Sequence, residues 1–249
     1  MAGQILTSEG LLDAPERVLV VVAHPDDIDF GTAGTVAQLT AAGSYVAYCL
    51  VTSGEAGEDD MTVSSEELGE MREAEQTAAA DKVGVDTLHW LHHPEGQVQN
   101  NLELRCDIAR VIRIEKPEVV ITQSPFRNLE STYGSHPDHM ETAEATLRAV
   151  YPDARNPRAF TVELLDQGYA PHAVREVWVG QSDPTLFIDT TDVFDKKIAA
   201  LRSHASQVAK RDEEFNLEKL LRDWGSRVAS MGNMPEGRLA EGYRVVDTQ

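Results

Sequence analysis

Residues 17–31 read RVLVVVAHPDDIDFG, and the stretch changes character in its middle. Residues 17–24 are an apolar, β-branched run, the composition of a strand covered on both faces. His24, Pro25, Asp26, Asp27 and Asp29 then crowd into six positions. Strands covered on both faces belong to parallel sheets, and such sheets hold their ligand sites at the carboxyl ends of strands. A packed strand end gains nothing from this many polar groups, so the cluster marks a candidate site.

Outward from there, the chain alternates. Small and apolar residues at helical spacing fill 34–44, with Gly43 as a stop. A second strand is expected over 45–54. A helix over 64–85 has a capping signal at Ser64 or Ser65, an acidic first turn and Gly84 near its end. A shorter strand follows at 87–93, an amphipathic helix at 101–117 halted by Pro117, and a strand at 118–124. Another helix is expected over 135–151. The pattern then loosens into two short strands at 176–181 and 185–190, two helical stretches, and a last strand at 242–247. Repeated strand–helix alternation predicts an α/β, Rossmann-like fold with a mostly parallel, twisted sheet and helices on both faces. No repeat, low-complexity tract or linker divides the 249 residues, so one domain over 1–249 is expected.

Charge narrows the partners. Forty-two Asp+Glu against 22 Lys+Arg give a net charge of −20. Polyanion binding relies on basic side chains displacing counterions, so nucleic acid is excluded as a partner. The N-terminal residues lack the charge and apolar core of a secretory signal, and no apolar run approaches membrane-spanning length. A cytoplasmic location is the expectation, with no membrane partner and homo-oligomerisation left open. Cys49 and Cys106 read as buried free thiols.

Two motifs carry chemistry: HPDD at 24–27 and HPDH at 136–139. A catalytic zinc takes three His or carboxylate ligands and keeps a fourth position open. His24 and Asp27 lie three apart on a loop, close enough to clasp one ion, and a histidine of the second motif completes the set. Pro137 suits the first turn of a helix, which puts His136 and His139 three apart on one face. One of these can hold metal while the other faces substrate. Asp26 is then free to act as a base beside an activated water. Asp138 is placed to accept the second N–H of an imidazole.

These residues, with VTSGEAG at 51–57, MREAEQTAAADKVGV at 71–85 and ALRSHASQ at 200–207, give the sequence a resemblance. It resembles the PIG-L / LmbE-like family of zinc-dependent N-acetylglucosaminyl deacetylases, which includes the deacetylases and amidases of mycothiol and bacillithiol metabolism. The resemblance implies His24, Asp27 and His139 as ligands of one zinc, with iron(II) or cobalt able to fill the same set. It implies Asp26 as general base and His136, protonated, beside the scissile carbonyl. It implies Asp138 as the orienting partner of His136 or His139. Arg72 resembles an arginine that holds substrate hydroxyls; read without the family, it is a surface partner of Glu75 or Gln76.

Two departures fall on substrate contacts. Glu95-Gly96 stands where the family often has Asp-Gly, and Tyr133 stands three residues before His136, with Ser135 inserted. Both Glu95 and Tyr133 are expected to touch substrate, Tyr133 as an oxyanion donor. The expected activity is hydrolysis of an N-acyl, most simply N-acetyl, amide on a small N-acetylglucosamine-type molecule, in thiol-cofactor or secondary metabolism. The rival readings are an amidase of a non-sugar natural-product intermediate and a non-catalytic metabolite-binding module. His89, His92 and His93 alternate in facing and are expected at a rim, not on a second metal. His204 has no chemistry that the sequence supplies and reads as structural.

Overall fold

The computed structural model describes residues 4–6, 14–58, 61–129, 132, 135–180, 183–209 and 216–249. Eight strands form one sheet: β1 (Gln4–Leu6), β2 (Arg17–Val22), β3 (Tyr45–Leu50), β4 (Thr87–Trp90), β5 (Val119–Thr122), β6 (Glu176–Gly180), β7 (Leu186–Asp189) and β8 (Ala240–Asp247). Their order across the sheet is β1-β7-β8-β6-β5-β2-β3-β4. All neighbours are parallel except β8, which runs antiparallel between β6 and β7. Among the helices are α1 (Asp27–Gly31), α2 (Ala33–Ala41), α3 (Ser65–Lys82), α4 (Leu102–Glu115), α5 (Pro137–Arg148), α6 (Phe194–Leu201) and α7 (Leu217–Met231).

Strand β2 lies at the centre, paired to β3 on one side and β5 on the other. Successive side chains of a strand point to opposite faces. Val18, Val20 and Val22 accordingly join the core with Val36 and Leu39 of α2 and Ala79 and Ala80 of α3. Leu19 and Val21 join the opposite core with Leu104, Ile108 and Ile112 of α4 and Ala145 of α5. Both faces are therefore covered, which is why the strand carries apolar residues at every position from Val18 to Val22.

The predicted capping signal resolves to Ser64. Its hydroxyl accepts from Glu67 N–H, and the Glu67 carboxylate accepts from Ser64 N–H. The buried stripe of α3 runs Leu68, Gly69, Arg72, Gln76, Ala79 and Ala80. Two polar residues thus sit on the face turned to the sheet. Cys49 and Cys106 are free and buried, and burial pushes the Cys49 thiol far up, so it is inert. No helix among the described residues is long and apolar enough to cross a membrane.

Candidate active site

The polypeptide leaves β2 at Val22 and turns through His24-Pro25-Asp26-Asp27 before α1 begins at Asp27. Asp26 takes left-handed backbone, φ 85° and ψ −26°. Non-glycine residues are rare in that region and concentrate at functional sites. After β5, α5 starts with Pro137 at its first turn, as the sequence predicts, and His136 stands just outside the helix as its N-cap. The two motifs, more than a hundred residues apart, meet here.

His24 Nδ1 lies 3.1 Å from His139 Nε2 and 3.4 Å from Asp27 Oδ2, and Asp27 Oδ1 lies 3.0 Å from His139 Nε2. His136 completes a group of three rings, its centroid 4.9 Å from that of His24 and 5.3 Å from that of His139. His24, His136 and His139 form a cluster able to hold a metal ion, each offering a nitrogen within 4.8 Å of the others.

Asp138 is fully buried, and its Oδ2 accepts from Gly96 N–H at 2.6 Å and from His24 Nε2 at 3.1 Å. The expected imidazole partner of Asp138 was His136 or His139; the structure gives it His24, because the second residue of α5 faces the end of β2. A carboxylate only accepts, so Nε2 of His24 carries a hydrogen, and when the ring gives up its second proton the Nδ1 lone pair faces Asp27 and His139. His136 has the reverse arrangement: its Nδ1 accepts from Asp138 N–H at 3.2 Å. That leaves the hydrogen of its neutral ring on Nε2 and occupies the other nitrogen. The donor set of His24 Nδ1, Asp27 and His139 Nε2 thus suits a divalent ion, with His136 beside it.

Electrostatics follow the same plan. Burial alone lowers His24, but its bonds to Asp138 and Asp27 and the charges of Asp27 and Glu95 outweigh it and raise the ring to about 10 in the metal-free site. Burial would raise Asp27; the neighbouring His139 and His24 hold it well below the usual carboxylate range instead. Burial and the Asp27 charge raise Asp26 to about 6, against the pull of Arg72, His204 and His24. Burial and the His24 charge lower His136, which works against the protonated ring expected there.

Arg72 is buried, not paired on the surface. Its Nη2 donates to Pro25 O at 2.7 Å and lies 3.4 Å from Asp26 Oδ2, and its Nη1 donates to Gly54 O at 2.9 Å. Its supposed surface partners are engaged elsewhere: Glu75 accepts from Ser206, and Gln76 bonds Asp26 N–H and Asp29. Glu95 reaches across to a neighbouring loop. Its Oε2 accepts from Ala56 N–H at 2.6 Å, while its own N–H donates to Glu55 Oε1 at 2.7 Å. Its other oxygen lies 3.7 Å from His24 Nε2. Tyr133 lies outside the described residues.

Of the weaker candidates, His89 pairs with Glu115 at 2.7 Å and His93 with Asp107 at 3.1 Å, while His92 Nδ1 stands 3.1 Å from Ser53 Oγ. Each has its own partner. Asp29 stands in the acidic cluster without a role assigned to it, and Gln76 is expected only as a surface partner of Arg72, although it lies four residues from Arg72 on the buried stripe of α3.

Comparison with known proteins shows the family. Residues 19–150 match the family model described as PIG-L, GlcNAc-PI de-N-acetylase. A diacetylchitobiose deacetylase of Thermococcus kodakarensis is 33% identical over 233 residues, 93% of this chain and 83% of that protein. A 1D-myo-inositol 2-acetamido-2-deoxy-alpha-D-glucopyranoside deacetylase of Kineococcus radiotolerans is 29% identical, over 82% of this chain and 72% of the relative. Among solved structures, the N,N'-diacetylchitobiose deacetylase of Pyrococcus horikoshii, in complex with an inhibitor, superposes with a TM-score of 0.85 at 28% identity, covering 95% of this chain and 85% of that one.

Proposed function

Because this chain belongs to the PIG-L family of de-N-acetylases, we propose that it is a zinc-dependent amidohydrolase that removes the acetyl group from a small N-acetylglucosamine-type substrate. The observation that carries the reading is the convergence of His24 Nδ1, Asp27 and His139 Nε2 within 3.0–3.4 Å of one another at the carboxyl edge of the sheet. These three residues would hold the ion. When bound there, a divalent cation supplies Lewis-acid polarisation of the acyl oxygen and lowers the pKa of a water.

The remaining work falls to side chains. Asp26, with a pKa near 6, is a carboxylate at neutral pH and still basic enough to take the proton from the attacking water. His136 donates its Nε2–H to the acyl oxygen as negative charge develops, a role that a neutral imidazole performs as a hydrogen-bond donor. The proton held by Asp26 passes to the departing nitrogen, so water and amide become acetate and free amine. Asp138 keeps the His24 ring in the orientation and tautomer that binding needs. Arg72 fixes the loops carrying Pro25 and Gly54 and steadies Asp26. Glu95 places its carboxylate 3.7 Å from the Nε2 edge of His24 that Asp138 holds, and adds to the negative charge that favours the Nε2–H form.

The non-catalytic module is set aside by the assembled base and donor set together with the deacetylase relatives. The test is release of acetate and free amine from N,N'-diacetylchitobiose and from a simple N-acetyl amine without a sugar. The proposal expects turnover of the sugar amide that chelation abolishes and zinc restores. Equal turnover of both amides would transfer the substrate assignment to the non-sugar reading, and no metal-dependent acetate release from either would end the proposal.

A further inference from the structure

Asp26 holds its carboxylate on left-handed backbone, and the N–H of this strained residue donates to Gln76 Oε1 at 2.9 Å. The other end of that amide, Gln76 Nε2, donates to Asp29 Oδ2 at 3.0 Å. The same oxygen lies 2.7 Å from His204 Nε2. Gln76, Asp29 and His204 are all fully buried. His204 comes from the far side of the sequence, 175 positions from Asp29 and outside the stretch that matches the family model.

We propose that Asp29 and His204 are positioning residues that act through Gln76 on the peptide of Asp26. This rests on the reading of Asp26 as the general base. A primary amide has an acceptor end and a donor end of nearly the same shape, so its orientation is set by what surrounds it. Asp29 only accepts, and therefore selects the NH2 end. That leaves the carbonyl end for Asp26 N–H. His204 donates to the Asp29 oxygen, which fixes the carboxylate and offsets the cost of burying it. Without this chain, nothing holds Gln76 in the orientation that keeps Asp26 on unfavourable backbone. The Asp26 carboxylate would then relax away from the reacting water, and small misplacements of a base cost turnover, not binding.

The experiment compares metal-loaded Gln76→Leu, His204→Leu, His204→Gln, Asp26→Asn and the double variant Asp26→Asn/Gln76→Leu on N,N'-diacetylchitobiose. Metal content and thermal melting are recorded for each. Gln76→Leu and His204→Leu are expected to lower kcat roughly ten- to a hundredfold with KM and metal content unchanged. His204→Gln places an amide donor where the imidazole Nε2 stood and recovers most of what His204→Leu loses. The double variant is no slower than Asp26→Asn alone, because residues that act as a unit are not additive.

Parental kcat in folded, metal-loaded Gln76→Leu would overturn the inference. So would a double variant slower than Asp26→Asn by the whole Gln76→Leu factor. If Gln76→Leu fails to fold, the two His204 variants decide: equal loss in both, with KM raised, overturns the inference, and recovery in His204→Gln sustains it. Normal turnover by Asp26→Asn would remove the reading of Asp26 itself, a result distinct from failure of the positioning chain.

Discussion

Asp138 Oδ2 lies 3.1 Å from His24 Nε2, and this contact decides which edge of the imidazole is free to face Asp27 and His139. The same oxygen is pinned by Gly96 N–H at 2.6 Å, so the carboxylate does not follow the ring if the ring turns. Asp138→Asn keeps the size of the side chain but loses the charge that favours the Nε2–H form. Metal affinity is expected to fall roughly 10- to 100-fold, the usual cost of removing an outer partner of a ligating histidine. Competition with a chelator of known affinity measures it. Parental affinity would show that His24 needs no orienting partner.

The proton on His24 gives metal binding a pH dependence. In the metal-free protein the ring titrates at about 10, above its ordinary 6.5, so it is charged at neutral pH. A bound metal needs the neutral ring, and so displaces that proton. Affinity is therefore expected to rise by roughly tenfold per pH unit between the two values, with about one proton released per ion at pH 8. Calorimetry in buffers of different ionisation enthalpy counts the protons. The stability of the metal-free protein has the opposite sign. A raised folded-state pKa contributes stability that is present in full below pH 6.5 and is lost as pH climbs through 10. A metal-free melting temperature that rises across this window would contradict the assignment.

Much of this site was legible in the chain because it is built from short motifs at element ends. His24 and Asp27 share a loop, and His136 and His139 share a helical turn announced by Pro137. The central strand was legible for the same reason, since a strand covered on both faces must be apolar at every position. What the sequence hid depends on distant parts meeting. Strand β1 has three residues at the sheet edge, too few for a periodic signal. The run 242–247 reads as a strand, but its antiparallel insertion between β6 and β7 is set by packing, not by its own residues. Arg72 and Gln76 look like surface residues in a Glu-rich helix. Only their spacing from Leu68 and Ala79, along the buried stripe, betrays which way they face. His204 and Asp29 carry no local mark of being partners.

Asp26→Asn tests the base directly. The amide is close to the carboxylate in size, and none of the three proposed ligand atoms belongs to Asp26. Bound metal should remain at one per chain, while turnover falls by roughly two to four orders of magnitude, the range for a lost general base. In the parent, burial and the Asp27 charge put the carboxyl near 6, so activity should decline as pH drops below that value and the base becomes protonated. Metal analysis beside kcat on the same preparation separates the two effects. Loss of metal together with activity would move Asp26 from the base to the ligand set.

Arg72 makes Gly54 a structural necessity. Gly54 has φ +71°, and a Cβ built there would collide with the Arg72 guanidinium, which is held in place by the carbonyls of Gly54 and Pro25. Gly96 has a similar φ of +77°, but a Cβ there meets nothing within 4 Å. Gly96→Ala therefore bears only the left-handed backbone strain, on the order of 1–3 kcal/mol. Gly54→Ala bears that strain and also displaces a buried guanidinium from two carbonyls and the Asp26 carboxylate. Urea denaturation should show the larger loss of stability at Gly54, and the surviving folded Gly54→Ala protein should turn over more slowly, because Asp26 loses its neighbour. Equal losses at both glycines would mean that the guanidinium yields freely and does not brace the loop.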